Sequence, residues 1–102
     1  MNKAYILTFD RKRLIDTFNY EIFHEQLTNA KGIISWWHYL DCTYILIVEY
    51  TATAKNICDY VRTIIGGKEF FVCEVNLYNY NGFLNPEAWK WIEDEKGKTV
   101  LS

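Results

Sequence analysis

The sequence predicts an α+β fold, a ferredoxin-like βαββαβ antiparallel sheet with a short C-terminal helix. Four short runs rich in β-branched and aromatic residues are separated by two apolar stripes of helical spacing. No repeat, low-complexity tract or proline-rich linker interrupts them. A chain of 102 residues also suits one domain around one core.

The first run, Ala4-Tyr5-Ile6-Leu7-Thr8-Phe9, ends at the charged Asp10-Arg11-Lys12-Arg13 and reads as a strand. Leu14, Phe18, Ile22, Phe23, Leu27 and Ala30 then fall on one helical stripe. Asp16, Asn19, Glu21 and Glu25 lie off that stripe, and Gly32 is its natural stop. Ile33 to Leu40 and Thr43 to Tyr50 are strand-like runs around a short Leu40-Asp41-Cys42-Thr43 connection, which predicts a hairpin. Strict alternation puts Ile34, Trp36, His38 and Leu40 on one face and Ile33, Ser35, Trp37 and Tyr39 on the other. Thr51 or Thr53 caps a second helix carrying Ile57, Val61, Ile64 and Ile65, closed by Gly66-Gly67. Phe70 to Val75 is the fourth strand. Two right-handed crossovers make this succession a four-stranded sheet with both helices on one face.

Residues 1–84 form that domain, and residues 85–102 are a helical tail packing on it or on a partner chain. Asn85-Pro86-Glu87 supplies a cap side chain, a proline at the first helical position and an acid in the first turn. Ala88, Trp89 and Ile92 give the tail a short apolar stripe.

Composition narrows the function. Eleven basic residues against thirteen acidic ones argue against a surface that grips duplex nucleic acid, because phosphate binding needs a basic excess. Cys42, Cys58 and Cys73 form no CxxC pair and read as reduced thiols of a cytoplasmic protein. Neither a signal segment nor an apolar run long enough to span a membrane is expected. The strands are apolar on both faces, and two helices cover only one, so the other face is expected to be covered by the tail and a second copy together, in a homodimer with sheets face to face and the tails latching the edges.

No P-loop, nucleophile elbow, HExxH or dinucleotide fingerprint is present. The candidate site residues are therefore few. Asp10 closes the first strand and, facing its copy across a two-fold axis, would hold a divalent cation such as magnesium between paired carboxylates; otherwise it starts the turn into the helix. Without that chemistry no cofactor is implied. Trp36, Trp37, His38 and Tyr39 are candidate binding residues on the hairpin, with Arg11 and Arg13 on the basic loop. Lys12, Lys31 and Lys68 would extend a phosphate-attracting rim. The competing structural reading makes one tryptophan a core residue and the other an interface residue, His38 a hydrogen-bonded structural histidine and Asp41 a turn former.

A first strand "AYILTFD" closing on aspartate, the βαββαβ plan and the tail resemble the small dimeric CRISPR adaptation proteins and their toxin and antitoxin relatives. The "WWHYLD" hairpin and the "NPEAWKWI" tail resemble short bacterial proteins of a SinR-like group. The first resemblance implies a homodimer with Asp10 at its axis, acting as a metal-dependent nuclease or as a structural adaptor. This chain departs from that family in Ser35-Trp36-Trp37-His38, where a polar segment is usual, and in an acidic first helix. Three functions follow. The first is a non-catalytic homodimeric adaptor or regulator in a defence or mobile-element setting. The second is a metal-dependent endoribonuclease using Asp10 of each protomer. The third is a small nucleotide-binding or sequestering protein with Trp37, Tyr39 or Tyr80 stacking a base at the dimer interface. The corresponding partners are a second copy, another protein, a small nucleotide or single-stranded RNA, and no membrane.

Overall fold

A computed structural model describes residues 1–11 and 18–101. The chain runs β1 (Lys3–Phe9), α1 (Tyr20–Thr28), β2 (Ile33–Leu40), β3 (Thr43–Val48), α2 (Ala54–Ile64), β4 (Phe70–Glu74) and α3 (Pro86–Glu95), followed by a 3-10 turn at Lys96–Lys98. The four strands form one open antiparallel sheet in the order β2-β3-β1-β4. The architecture is α+β.

α1 begins later than the predicted stripe. Asn19 is its cap, its side chain accepting from the Ile22 amide at 3.0 Å. Phe18, just before the cap, packs on Phe23 with ring centroids 5.4 Å apart, a hydrophobic staple that fixes the entry angle. Leu14 lies outside the described residues. Phe23 and Leu27 are buried, but Ile22 is 53% exposed, so it leaves the stripe on which the spacing placed it. α2 starts at Thr53 in a reciprocal capping box with Asn56 and closes on Gly66 and Gly67, both at positive φ.

Strict alternation fails in β2. From Ile33 to Ser35 is two residues, while their partners Val48 and Ile47 are adjacent. Trp37 and Leu40 likewise span one residue more than Ile45 and Thr43. Each end of β2 thus carries a bulge. The first returns Ile33 to the helix side, where it packs against the main core, and leaves Ile34 exposed. The grouping of Ile34 with Trp36 and of Ile33 with Trp37 is corrected accordingly. Trp36 and Trp37 do point to opposite faces.

The sheet is covered on both faces, unequally. Tyr5, Leu7, Phe9, Tyr44, Leu46 and Val48 face α1 and α2, meeting Phe23, Leu27, Ile57 and Val61. On the other face Ala4, Trp37, Ile45 and Ile47 meet Leu77, Ala88 and Ile92. The tail therefore packs on its own chain. Its end is pinned where Asn2 donates to the Lys98 carbonyl at 2.8 Å and accepts from the Val100 amide at 2.8 Å. α3 reaches only part of this face. Phe71 on β4 is 60% exposed, its neighbour two residues on, Cys73, is exposed, and Ile6 beside them is only partly buried. Among the described residues no helix is long and apolar enough to cross a membrane.

Candidate functional site

The sheet end that carries the hairpin turn opens into a cleft of about 450 Å³ on the helix side. Its floor is Phe9 and Phe23, one wall is Tyr20 from the first turn of α1, and the hairpin supplies Asp41 and Cys42. The two-residue turn needs a left-handed residue, and Cys42 fills it at φ 60°. That holds its carbonyl where the Phe9 amide donates to it at 3.0 Å, tying hairpin to β1.

Two histidines share the cleft. His38 lies flat on Tyr44, centroids 4.0 Å apart and planes 2° apart. Its Nδ1 is 2.9 Å from the Thr43 carbonyl, which can only accept, so Nδ1 carries a proton. His24 Nδ1 is 2.7 Å from the Tyr44 hydroxyl, and its ring stands perpendicular to that of Trp36, with centroids 4.6 Å apart. The two imidazole centroids are 6.0 Å apart.

Charge is concentrated at the other end. Arg11 donates to Asp41 at 2.8 Å and lies over the Tyr20 ring at 4.6 Å. The guanidinium hydrogen bond holds the Asp41 carboxyl below the usual carboxylate range, and the same bond raises Arg11 further above its ordinary value. Both side chains are well exposed, so the pair fixes geometry and adds little stability. Burial pushes the Tyr44 phenol up to about 12, keeping it neutral. Burial, then the proximity of His38, pushes His24 below the ordinary imidazole value.

The His24 shift has a sign that can be measured. A histidine whose folded pKa lies below its unfolded one favours folding when neutral, so its contribution is complete above about pH 6.5 and is lost as pH falls through the folded value. The melting temperature of the wild type is expected to drop more between pH 7.5 and 5 than that of the His24→Gln protein. Parallel pH profiles would refute it.

Asp10 sits elsewhere. It follows β1, is exposed, and lines a shallow depression with Glu69, Thr8 and Phe71 beside the uncovered part of the sheet. Its amide donates to the Glu69 carbonyl at 3.0 Å, and its carbonyl accepts from Lys68 Nζ at 3.2 Å. Among the described residues no three His, Cys, Asp or Glu side chains converge as metal ligands.

Of the predicted binding residues, Trp36, His38 and Arg11 come to the helix side of the sheet. Trp37 is buried beneath α3, its Nε1 donating to the Ala88 carbonyl at 3.1 Å, so its ring offers no face to a ligand. Tyr39 leans on Trp37 from the same side, and Tyr80 stacks on Trp89 and donates to Glu93. Trp37, Tyr39 and Tyr80 therefore line no common pocket among the described residues. Arg13 and Lys12 lie outside those residues. The predicted basic rim is interrupted, because Lys68 is buried against Phe18 and Tyr20 and Arg11 is paired.

Sequence reasoning missed His24 and Tyr20. The available signal was their spacing, since Tyr20, His24 and Leu27 are separated by four and three and so border the apolar stripe. No family model, curated protein or solved structure matches the chain.

Proposed function

We propose that the protein is a non-catalytic homodimeric module with a ferredoxin-like plait, an adaptor or regulator of the kind its resemblance to CRISPR adaptation proteins suggests. The βαββαβ succession, the central pair β1 and β3, and the placement of α1 and α2 on one face support the plait, to which α3 is an addition. One observation carries the dimer: beside α3 the sheet face keeps an apolar patch in which Phe71 and Cys73 are exposed and Ile6 is only partly buried. An apolar sheet patch beside a regular edge strand is a place for association. A two-fold pairing would cover it with its own copy, in the manner of an isologous interface.

Light scattering on a sizing column is expected to give about twice the 12.2 kDa chain mass at micromolar concentration, and Phe71→Glu is expected to give the monomer. A wild-type monomer at that concentration would refute the dimer.

The depression shared by Asp10 and Glu69 supports a second reading, a metal-dependent endoribonuclease. Two such edges meeting across a dimer axis would bring four carboxylates near one another, a setting suited to magnesium. Magnesium-dependent cleavage of single-stranded RNA that vanishes in Asp10→Asn, with the dimer intact, would replace the non-catalytic reading.

A further inference from the structure

We infer that the two protomers join edge to edge: β4 of one pairs antiparallel with β4 of the other, Val72 opposite Val72, and the two four-stranded sheets become one. The inference rests on the dimer proposed above and goes beyond it by naming the contact and its register.

β2 and β4 are the two edges of the sheet, and they differ in fitness for pairing. β2 carries a bulge at each end, a device that turns an edge away from further strands. β4 has none, and Phe70 to Glu74 run in unbroken register against Phe9 to Tyr5. Its sequence, Phe-Phe-Val-Cys-Glu, holds no lysine or proline to blunt it, and its one charge lies at the end. The Asp10 amide donates to the Glu69 carbonyl at 3.0 Å and the Val75 amide to the Ala4 carbonyl at 2.9 Å, which fixes the phase of the ladder. Bonded pairs alternate along an antiparallel ladder. Phe71 and Cys73 therefore turn their backbone groups to β1, while Phe70 and Val72 turn theirs outward. Among the described residues no strand lies on that outer side.

The edge is complementary to itself, which makes a second copy its occupant. Val72 is the middle residue of β4, so a two-fold axis there overlaps the whole strand with its copy. Val72 would exchange both backbone bonds with the partner's Val72. Phe71 would face the partner's Cys73 in the non-bonded position, where side chains approach most closely. Both are exposed on the α3 side, so the pairing merges two apolar patches and shields each from water. On the helix side Phe70 and Val72 pack against the main core and give the joint an apolar second face. Glu74 falls opposite the partner's Phe70, so like charges do not meet. A slide of one residue would set outward backbone groups against inward ones, and a slide of two would shorten the overlap.

The test follows backbone amide exchange in the full-length wild type, at a concentration where light scattering gives the dimer. An edge amide that points to water exchanges freely, whereas one in a ladder is protected. Val72 is expected to be slowed at least a hundredfold from an unstructured amide, as Cys73 is by its bond to β1. Val72→Pro removes the axial N–H while sparing the bonds to β1. It is expected to reduce the mass from about twice 12.2 kDa to that of one chain, with the circular dichroism of the wild type. A wild-type dimer with Cys73 protected and Val72 freely exchanging would overturn the edge pairing and leave a dimer formed elsewhere on the face. So would a folded Val72→Pro protein that stays dimeric. Should that variant not fold, the exchange measurement decides alone. A wild-type monomer, the result if the edge serves a strand of a different protein, would overturn the dimer and this pairing together.

Discussion

Removing residues 85–102 should cost most of the stability of the fold. The deletion takes away Ala88 and Ile92, which are buried, and the strand-like clasp between Asn2 and residues 98–100. It also exposes Trp37, Ile45 and Ile47, which are at most 8% accessible in the intact chain. Loss of one buried isoleucine side chain alone typically costs about 2–5 kcal/mol. Uncovering three more large apolar residues brings the loss to the order of a whole domain's stability, about 5–15 kcal/mol. Urea denaturation of the 1–84 chain is expected to show no cooperative transition, or a midpoint near zero denaturant. An unchanged midpoint would mean that α3 contributes nothing to the sheet it covers.

The second large effect separates two neighbours of identical chemistry. Trp37→Ala should destabilise by about 3–5 kcal/mol, the usual cost of truncating a buried aromatic. The ring is 3% exposed, joins Ile45 and Ile47 to α3, and loses its hydrogen bond to the Ala88 carbonyl. Trp36→Ala should cost only about 1 kcal/mol, the scale of a single aromatic contact, because Trp36 is 40% exposed and its ring contact is with His24. Chemical denaturation of the two variants side by side measures the difference. Equal losses would show that the two faces of β2 are not as unlike as their exposure implies.

Much of this architecture was legible in the sequence, for reasons that differ by element. The strands announced themselves through β-branched and aromatic runs, and α2 and α3 through their caps: Thr53 with Asn56, and Asn85 with Pro86. The opposite pointing of Trp36 and Trp37 followed from the pleat alone. The start of α1 did not, because Phe18 is apolar and fits a helical stripe while serving as a staple outside the helix. The bulges in β2 were equally silent, since the extra residue lies between Ile33 and Ser35 at one end and between Trp37 and Leu40 at the other, and no glycine or proline marks either place. At the cleft, His38 and Arg11 could be proposed one at a time. That His24 joins them depends on how α1 lies across the hairpin, a tertiary fact which local spacing does not carry. Asp10 was placed correctly at the strand end, but the pairing of Arg11 with Asp41 on the neighbouring hairpin was not foreseen.

The two bulges in β2 have a consequence for how the chain finds its frame. A hydrophobic pattern normally selects strand register, because sliding by one position turns apolar side chains to water. Here a slide by one would replace Trp37 with Trp36 beneath α3, one indole for another, and the pattern at that point is degenerate. What breaks the degeneracy lies at the ends. Ile33 and Ser35 set one end against Val48 and Ile47, and Trp37 and Leu40 set the other against Ile45 and Thr43. Each extra residue is an irregularity that a slipped ladder would have to rebuild elsewhere. Repeated letters in a sequence are ambiguous signposts, and this hairpin resolves the ambiguity with kinks in its backbone instead of with a difference between the side chains.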